Sequence, residues 1–509
     1  MKKKFYVTTP IYYANDAPHL GHAYTSVLCD IFARYHRLNG EDVFFLTGTD
    51  EHGAKICRTA DEKGEDVKEF TDKNSLKFKK LFELLNISND DFIRTSDKKR
   101  HWPGVEKIWK IIDENGDIYK DRYKGLYCVG CEALVTEKDL VDGKCIYHDK
   151  APEEIEEENY FFRLSNYTDK IKKIIEKDEI AVVPEGKKKE TLAFLENGLN
   201  DISISRPSRD ISWGIPVPSD SSQTIYVWFE ALVNYISALG YGGDEKNFSK
   251  FWPADLHVMA KDIMRFHNII WPAMILSVGL PLPKKNLIHG FFNVDGKKMS
   301  KTIGNVVDPF DMAKRYGVDA LRYYFTRETT PFEDGDFTEE KFKEAYNANL
   351  ANGLGNYVSR VFKMAFSYFD GVVKKPDDVL LSSVPFVDQN KESFSVPYVF
   401  EHNFWVEYKK NIEDLKVNNA ADVVWGALSE LDGYIQNYMP FKLVKTDKEK
   451  TETILWCLLY GLANISQMIY PFMPETAEKI MGALGMENKT DVPQDFSIKE
   501  IDNLFPRLE

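Results

Sequence analysis

Lys4-Phe5-Tyr6-Val7-Thr8-Thr9-Pro10, then Leu28, Ile31, Phe32 and Tyr35, then Val43-Phe44-Phe45-Leu46, are three pieces with three different periods. Residues 4–9 alternate and stop at Pro10, as a strand does. The second set recurs at helical spacing, and Asn39-Gly40 supplies the stop. Val43–Leu46 is a short continuous apolar run, the pattern of a buried strand. Strand, helix and strand in that order make a βαβ unit, the start of a parallel sheet.

A second region of this kind begins near Ile225-Tyr226-Val227-Trp228. It continues through the strand-like Leu256–Met259, a helix around Arg265–Leu276 and a strand Asn286–Ile288. Between the two halves, from about Tyr119 to Arg206, the character changes: a cysteine cluster, an acidic run Glu153–Glu158 and a lysine-rich stretch read as an insertion into one doubly wound domain. After Glu344 the pattern is helical: Tyr346–Phe369, Phe404–Val417, Ala420–Tyr438 and Thr451–Gly485. Asp370–His402 carries Pro376, Pro385 and Pro397 and reads as a long connection.

With 509 residues, 43% hydrophobic and 13% aromatic, the chain is too large for one core and is expected to form several domains. No stretch is apolar for long enough to cross a membrane. An export leader needs an apolar run after Lys2-Lys3-Lys4, and Pro10, Asn15 and Asp16 interrupt it, so a cytoplasmic protein is expected. The net charge of −14 argues against nucleic acid by itself, but a large acidic enzyme can carry one basic face. Six cysteines do not make a disulfide scaffold; Cys29, Cys57 and Cys457 stand alone.

Ala17-Pro18-His19-Leu20-Gly21-His22 falls at the strand–helix junction. A helix start offers free N–H donors and the positive end of a dipole, so it favours phosphate. Gly21 permits close approach, and His19 and His22 can donate to phosphate oxygens. Taken alone the pair reads equally as surface histidines, and small-molecule adenylyltransferases share it. Far downstream stands Lys297-Lys298-Met299-Ser300-Lys301-Thr302. Two lysines three apart with a hydroxyl between them suit a loop clamping a triphosphate, although a lysine run alone reads as solvated surface. A third cluster is Cys128-Val-Gly-Cys131 followed by Cys145-Ile-Tyr-His148. Two short chelating pairs match a closed tetrahedral Zn²⁺ site, which leaves no position for water and is therefore structural; scattered buried cysteines are the alternative.

Together the first two motifs resemble the paired signatures of class I aminoacyl-tRNA synthetases. Within that class the chain resembles the methionyl-tRNA synthetase family over nearly its whole length. The resemblance rests on Thr9–Asn15, Gly48-Thr49-Asp50-Glu51-His52-Gly53, Tyr226–Ala231, Lys261-Asp262-Ile263, Phe266-His267, Trp271-Pro272-Ala273 and Lys298–Lys301. It implies a Rossmann-like doubly wound parallel sheet split by a zinc-knuckle insertion, then an all-α anticodon-binding bundle. The expected division is 1–118 and 207–297 for the catalytic halves, 119–206 for the insertion, 298–344 for the lysine loop and linking segment, and 345–509 for the bundle.

The resemblance also implies site residues. The methionine pocket maps to Ile11, Tyr13, Asp50, Trp228, Ala231, Leu232, Tyr235, Ile263, Phe266, His267 and Trp271. Aromatic walls suit a polarizable thioether, Tyr13 and His267 are placed to bring a polar group near sulfur, and Asp50 to hold the ammonium. ATP maps to His19, Gly21, His22, Asp262, Lys298 and Lys301, with His19, His22, Lys298 and Lys301 as the catalytic set. Asp262 alone also reads as a helix-start carboxylate. Ala260 replaces the family's usual Gly, and Thr302 its usual Ser. Asn356 and Arg360, four apart on one helix, match anticodon-reading positions; Phe441 after Pro440 stands where the family has a stacking Trp. All three serve a helix bundle equally well on their own.

The implied function is ATP-dependent activation of L-methionine to methionyl-adenylate and transfer to the 3′ end of tRNA(Met), with Mg²⁺ accompanying ATP. The alternatives are a class I synthetase for another apolar amino acid and a non-catalytic RNA-binding protein on the same fold. The first usually carries a much larger editing insertion; the second has no use for intact His19, His22, Lys298 and Lys301. A monomer, without the appended tRNA-binding module that dimerises some relatives, is expected.

Overall fold

The computed structural model describes residues 2–128, 133–135, 140–145, 150–294, 296–298, 306–387 and 392–509. The chain divides into two compact units: residues 1–29, 40–83 and 87–289 in the first, and 30–39, 84–86 and 290–509 in the second. No helix among the described residues is long and apolar enough to cross a membrane.

A seven-stranded parallel sheet organises the first unit. Its order is Ala181–Val183, Lys285–His289, Leu256–Ala260, Lys4–Thr8, Asp42–Asp50 and Tyr12–Tyr13, with Asp91–Arg94 also pairing Asp42–Asp50. The central strands are apolar on both faces: Tyr6, Val7, Phe45, Leu46, Val258, Met259, Leu287 and Ile288 are all buried, as a parallel sheet covered on both sides requires. The chain leaves Lys4–Thr8 through the helix Leu20–Leu38 to reach Asp42–Asp50 on one side, whereas Leu256–Ala260 and Lys285–His289 lie on the other. Strand order therefore reverses between Lys4–Thr8 and Leu256–Ala260. In doubly wound sheets the crevice beyond the carboxyl ends of two such strands is where ligands bind.

The expected insertion contains structure of two kinds. Ile118–Cys128 pairs antiparallel with Glu153–Phe162 over ten rungs, and Ala133–Val135 and Ile202–Ser203 extend that sheet. The buried guanidinium of Arg206 grips Glu157 with two hydrogen bonds of 2.7 Å. Residues 181–183, however, pair with Lys285–Leu287 and belong to the parallel sheet. Another expectation changes at Tyr226–Trp228. The strand Asp220–Ile225 ends there, and a short helix, Val227–Leu232, begins; Glu230 N donates to Tyr226 O at 3.1 Å.

The second unit is mainly helical. Arg322, fully buried within it, donates to Asp30 Oδ2 (2.7 Å), Leu85 O (3.0 Å), Pro471 O (2.9 Å) and Phe472 O (2.8 Å). Five donors in a fixed fork can satisfy several buried carbonyls that the helix ladder leaves open. The expected Thr451–Gly485 helix is two helices, Lys448–Ile469 and Pro474–Ala483. Pro471 and Pro474 remove the N–H groups a continuous ladder needs. The long connection 370–402 also carries structure. Asp377 Oδ1 accepts from Leu380 N at 2.8 Å and caps Asp378–Ser382, and Ser395 caps Val396–Val399. Val372–Val373 pairs antiparallel with Phe496–Ser497.

Candidate active site

His19, Leu20, Gly21 and His22 stand where Leu20–Leu38 begins, beyond the carboxyl end of Lys4–Thr8. His19 N donates to Nδ1 of His22, and Gly21 N to Nδ1 of His19, both at 3.1 Å. With Nδ1 accepting, the ring proton of a neutral imidazole sits on Nε2. The rings lie 3.9 Å apart between centroids, and Tyr12 and Phe78 pack edge-on against His22. Burial, and then the neighbouring His19, hold the His22 imidazole well below its ordinary pKa. His22 is thus a neutral donor at physiological pH.

Asp50 ends the strand Asp42–Asp50 and is buried. Tyr13 is its register partner, and Ala14 N donates to Asp50 O at 2.8 Å. Tyr13 packs with Ala14, Ile56, Ala60 and Phe70, and the Lys55 ammonium lies 5.8 Å from its ring centre. On the far side of the strand reversal, Trp228 stacks on Phe266 at 4.0 Å with 14° between the planes. Tyr235 and His267 are hydrogen-bonded at 2.6 Å. Nδ1 of His267 meets the Ile263 carbonyl at 3.0 Å, so it carries the ring proton and Nε2 accepts from the Tyr235 hydroxyl. Burial lowers the His267 pKa to about 4. Trp271 lies fully buried beside Tyr235, with ring centres 5.9 Å apart. Leu232 belongs to the same core, against which Ile11 and Ile263 pack, and Ala231 is buried. His267 is thus hydrogen-bonded to Tyr235, whereas Tyr13 is the strand-register partner of Asp50. Asp262 is exposed on the turn after Leu256–Ala260.

In the second unit, Lys297–Lys298 pairs with Phe292–Val294. The turn between them is held by Gly296 N donating to Asp336 Oδ1 at 2.7 Å. Lys301, with Met299, Ser300 and Thr302, lies outside the described residues. Asn356 is exposed at the start of Asn356–Phe369. Arg360 donates to Asp432 at 2.5 Å, and Phe441, 41% exposed, follows the left-handed Met439 and Pro440. An aromatic ring held in water at a helix start is available for stacking.

Cys128 and Cys145 are buried in a small cluster with Val135, Leu126 and Leu140. Cys131 and His148 lie outside the described residues, and no group of metal ligands assembles among the described ones.

The family described as "tRNA synthetases class I (M)" matches residues 5–145 and 128–362, and the "Anticodon binding domain of methionyl tRNA ligase" matches 402–504. The chain belongs to the methionyl-tRNA synthetases. It is 44% identical to the methionine–tRNA ligase of Caldanaerobacter subterraneus subsp. tengcongensis, over 100% of this chain and 80% of that protein. The Thermotoga maritima methionine–tRNA ligase is 43% identical over 96% of this chain and 76% of its own. Mycobacterium tuberculosis methionyl-tRNA synthetase in complex with methionyl-adenylate superposes with a TM-score of 0.92 and 35% identity, covering 99% of this chain and all of that one. Family membership makes the parallel sheet a class I synthetase fold and the C-terminal helices an anticodon-binding domain.

Sequence reasoning passed over His52, Glu51 and Glu230, which sit inside motifs carrying the family resemblance, and His101, which has no local signal. Arg94 grips Glu51 at 2.7 and 2.9 Å, and His52 and His101 both meet Glu230.

Proposed function

We propose that this methionine–tRNA ligase binds the methionine ammonium at Asp50 and its side chain between the Trp228–Phe266 stack and the Tyr235–His267 pair. ATP then lies along His19, Gly21, His22 and Asp262. The observation that carries this reading is the reversal of strand order, with His19–His22 beyond one strand and Asp262–His267 beyond its neighbour. The reaction has two steps. The methionine carboxylate attacks the α-phosphorus of Mg-ATP, giving methionyl-adenylate and pyrophosphate; the terminal ribose hydroxyl of tRNA(Met) then attacks the acyl carbonyl and releases AMP.

His22, a neutral donor, and His19 beside it are assigned to the phosphate oxygens on which charge grows. Lys298 and Lys301 are assigned to the departing pyrophosphate by the family motif. No covalent nucleophile is required, because positioning and preorganised donors supply the rate. A neutral His267 suits an apolar thioether, since an imidazolium there would need a counter-charge. Asn356, Arg360 and Phe441 are assigned to the anticodon, with Asp432 orienting the Arg360 fork.

Two buried thiols, Cys128 and Cys145, fit half of a structural zinc site, which Cys131 and His148 would complete by their spacing. The metal supplies cross-linking there and no catalysis. Pyrophosphate exchange into ATP, run separately with each standard amino acid, tests the substrate assignment. Methionine and close thioether analogues should support it. A higher kcat/KM for leucine or isoleucine would overturn the pocket assignment.

A further inference from the structure

The carboxylate of Glu230 is fully buried between two imidazoles. Oε1 meets Nδ1 of His52 at 2.9 Å, and Oε2 meets Nε2 of His101 at 2.8 Å. His101 continues through Nδ1 to Ser237 Oγ at 2.8 Å. Both histidines are themselves buried. A carboxylate withdrawn from water is costly even when paired, and an apolar residue of similar volume often serves stability as well or better. Its use here calls for a reason beyond packing, and a fully satisfied polar network specifies one geometry.

The four segments it ties together are informative. His52 lies two residues beyond Asp50. Glu230 shares the helix Val227–Leu232 with Trp228, Ala231 and Leu232, and Ser237 shares Asn234–Ser237 with Tyr235. His101 stands at the head of the helix Trp102–Glu114. Every segment except the last carries a residue assigned to methionine. The Asp50 turn is pinned a second time. Glu51 N donates to Thr95 Oγ1 at 2.9 Å, Trp213 Nε1 donates to Glu51 O at 2.6 Å, and Arg94 holds the Glu51 carboxylate. Gly53, at φ 111°, turns the chain where a side chain would be strained.

We propose that Glu230, bridged by His52 and His101, is a positioning residue that sets the distance between the Asp50 carboxylate and the aromatic wall of the methionine pocket. The bridge acts on the amino acid through Asp50 and Trp228 and leaves the nucleotide side alone. This rests on the assignment of Asp50 to the substrate ammonium.

Methionine-dependent pyrophosphate exchange by the full chain tests it, with KM for methionine and for ATP measured separately and folding followed by thermal melting. Glu230→Gln, which loses one acceptor, should raise KM for methionine about tenfold or more and leave KM for ATP within about twofold. His52→Asn keeps a donor near the Nδ1 position, and His101→Gln keeps one near Nε2; each should recover most of what the matching Ala variant loses. Equal rises in both KM values would overturn the proposal, as would Asn and Gln variants no better than Ala in folded protein. Should Glu230→Gln not fold, the histidine pairs decide alone. Asp50→Asn separates the two claims. If it leaves KM for methionine unchanged, the ammonium assignment falls; if it raises KM while folded Glu230→Gln does not, only the positioning role falls.

Discussion

Tyr235 gives its hydroxyl proton to Nε2 of His267 across 2.6 Å, because Nδ1 of the same ring is committed to the Ile263 carbonyl. The polar end of the proposed methionine pocket is thereby a closed hydrogen-bonded pair. Tyr235 itself is buried and its phenol is held above its ordinary pKa by that burial.

Removing the donor should be felt in binding and stability together. Tyr235→Phe leaves His267 Nε2 buried without a partner, which typically costs about 1–3 kcal/mol. The expected outcome is a lower Tm and a raised KM for methionine, with KM for ATP little changed, as read by melting and by pyrophosphate exchange.

The His267 pKa makes a signed prediction. It falls from 6.5 to about 4 in the folded chain, so between those values the unfolded chain binds a proton that the native one refuses. Stability from this group is fully present above about 6.5 and is lost as pH falls towards 4, by up to about 3 kcal/mol. Melts between pH 7 and 4.5 should show a shallower loss of Tm in His267→Gln than in the parent. A parallel decline in both would mean that His267 titrates normally.

The two chemical steps should respond to different residues. Lys301→Ala should depress pyrophosphate exchange by a few kcal/mol of transition-state energy, roughly the worth of one preorganised charge contact. Arg360→Ala should leave exchange nearly intact and raise KM for tRNA, since a stacked or hydrogen-bonded base is worth about 1–3 kcal/mol. Equal losses in both assays for both variants would defeat this division.

For the metal, protein purified without chelator should contain about one zinc per chain, and Cys128→Ser or chelation should lower Tm. A zinc-free preparation with unchanged stability and full activity would rule out an occupied structural site.

Wherever a feature depends on neighbours in the chain, the sequence alone determined it. The period of residues 4–9, 28–35 and 43–46 is local, and so the βαβ start was legible. The HLGH and KMSKT motifs and the family segments named the family and its reaction. Tertiary structure decided what depends on partners far away in the chain. Tyr226–Trp228 leaves the strand for a helix whose Glu230 reaches His52 and His101, separated from it by 178 and 129 residues. Residues 181–183, with no signal beyond three apolar side chains, join the sheet because Lys285–Leu287 offers them an open edge. His267 takes its partner from Tyr235, 32 residues away, which no local spacing signals. Periodicity records which face of an element is apolar, but a buried hydrogen bond is chosen by whatever donor packing brings within 3 Å, roughly the reach of such a bond. That choice is made only when the chain is folded.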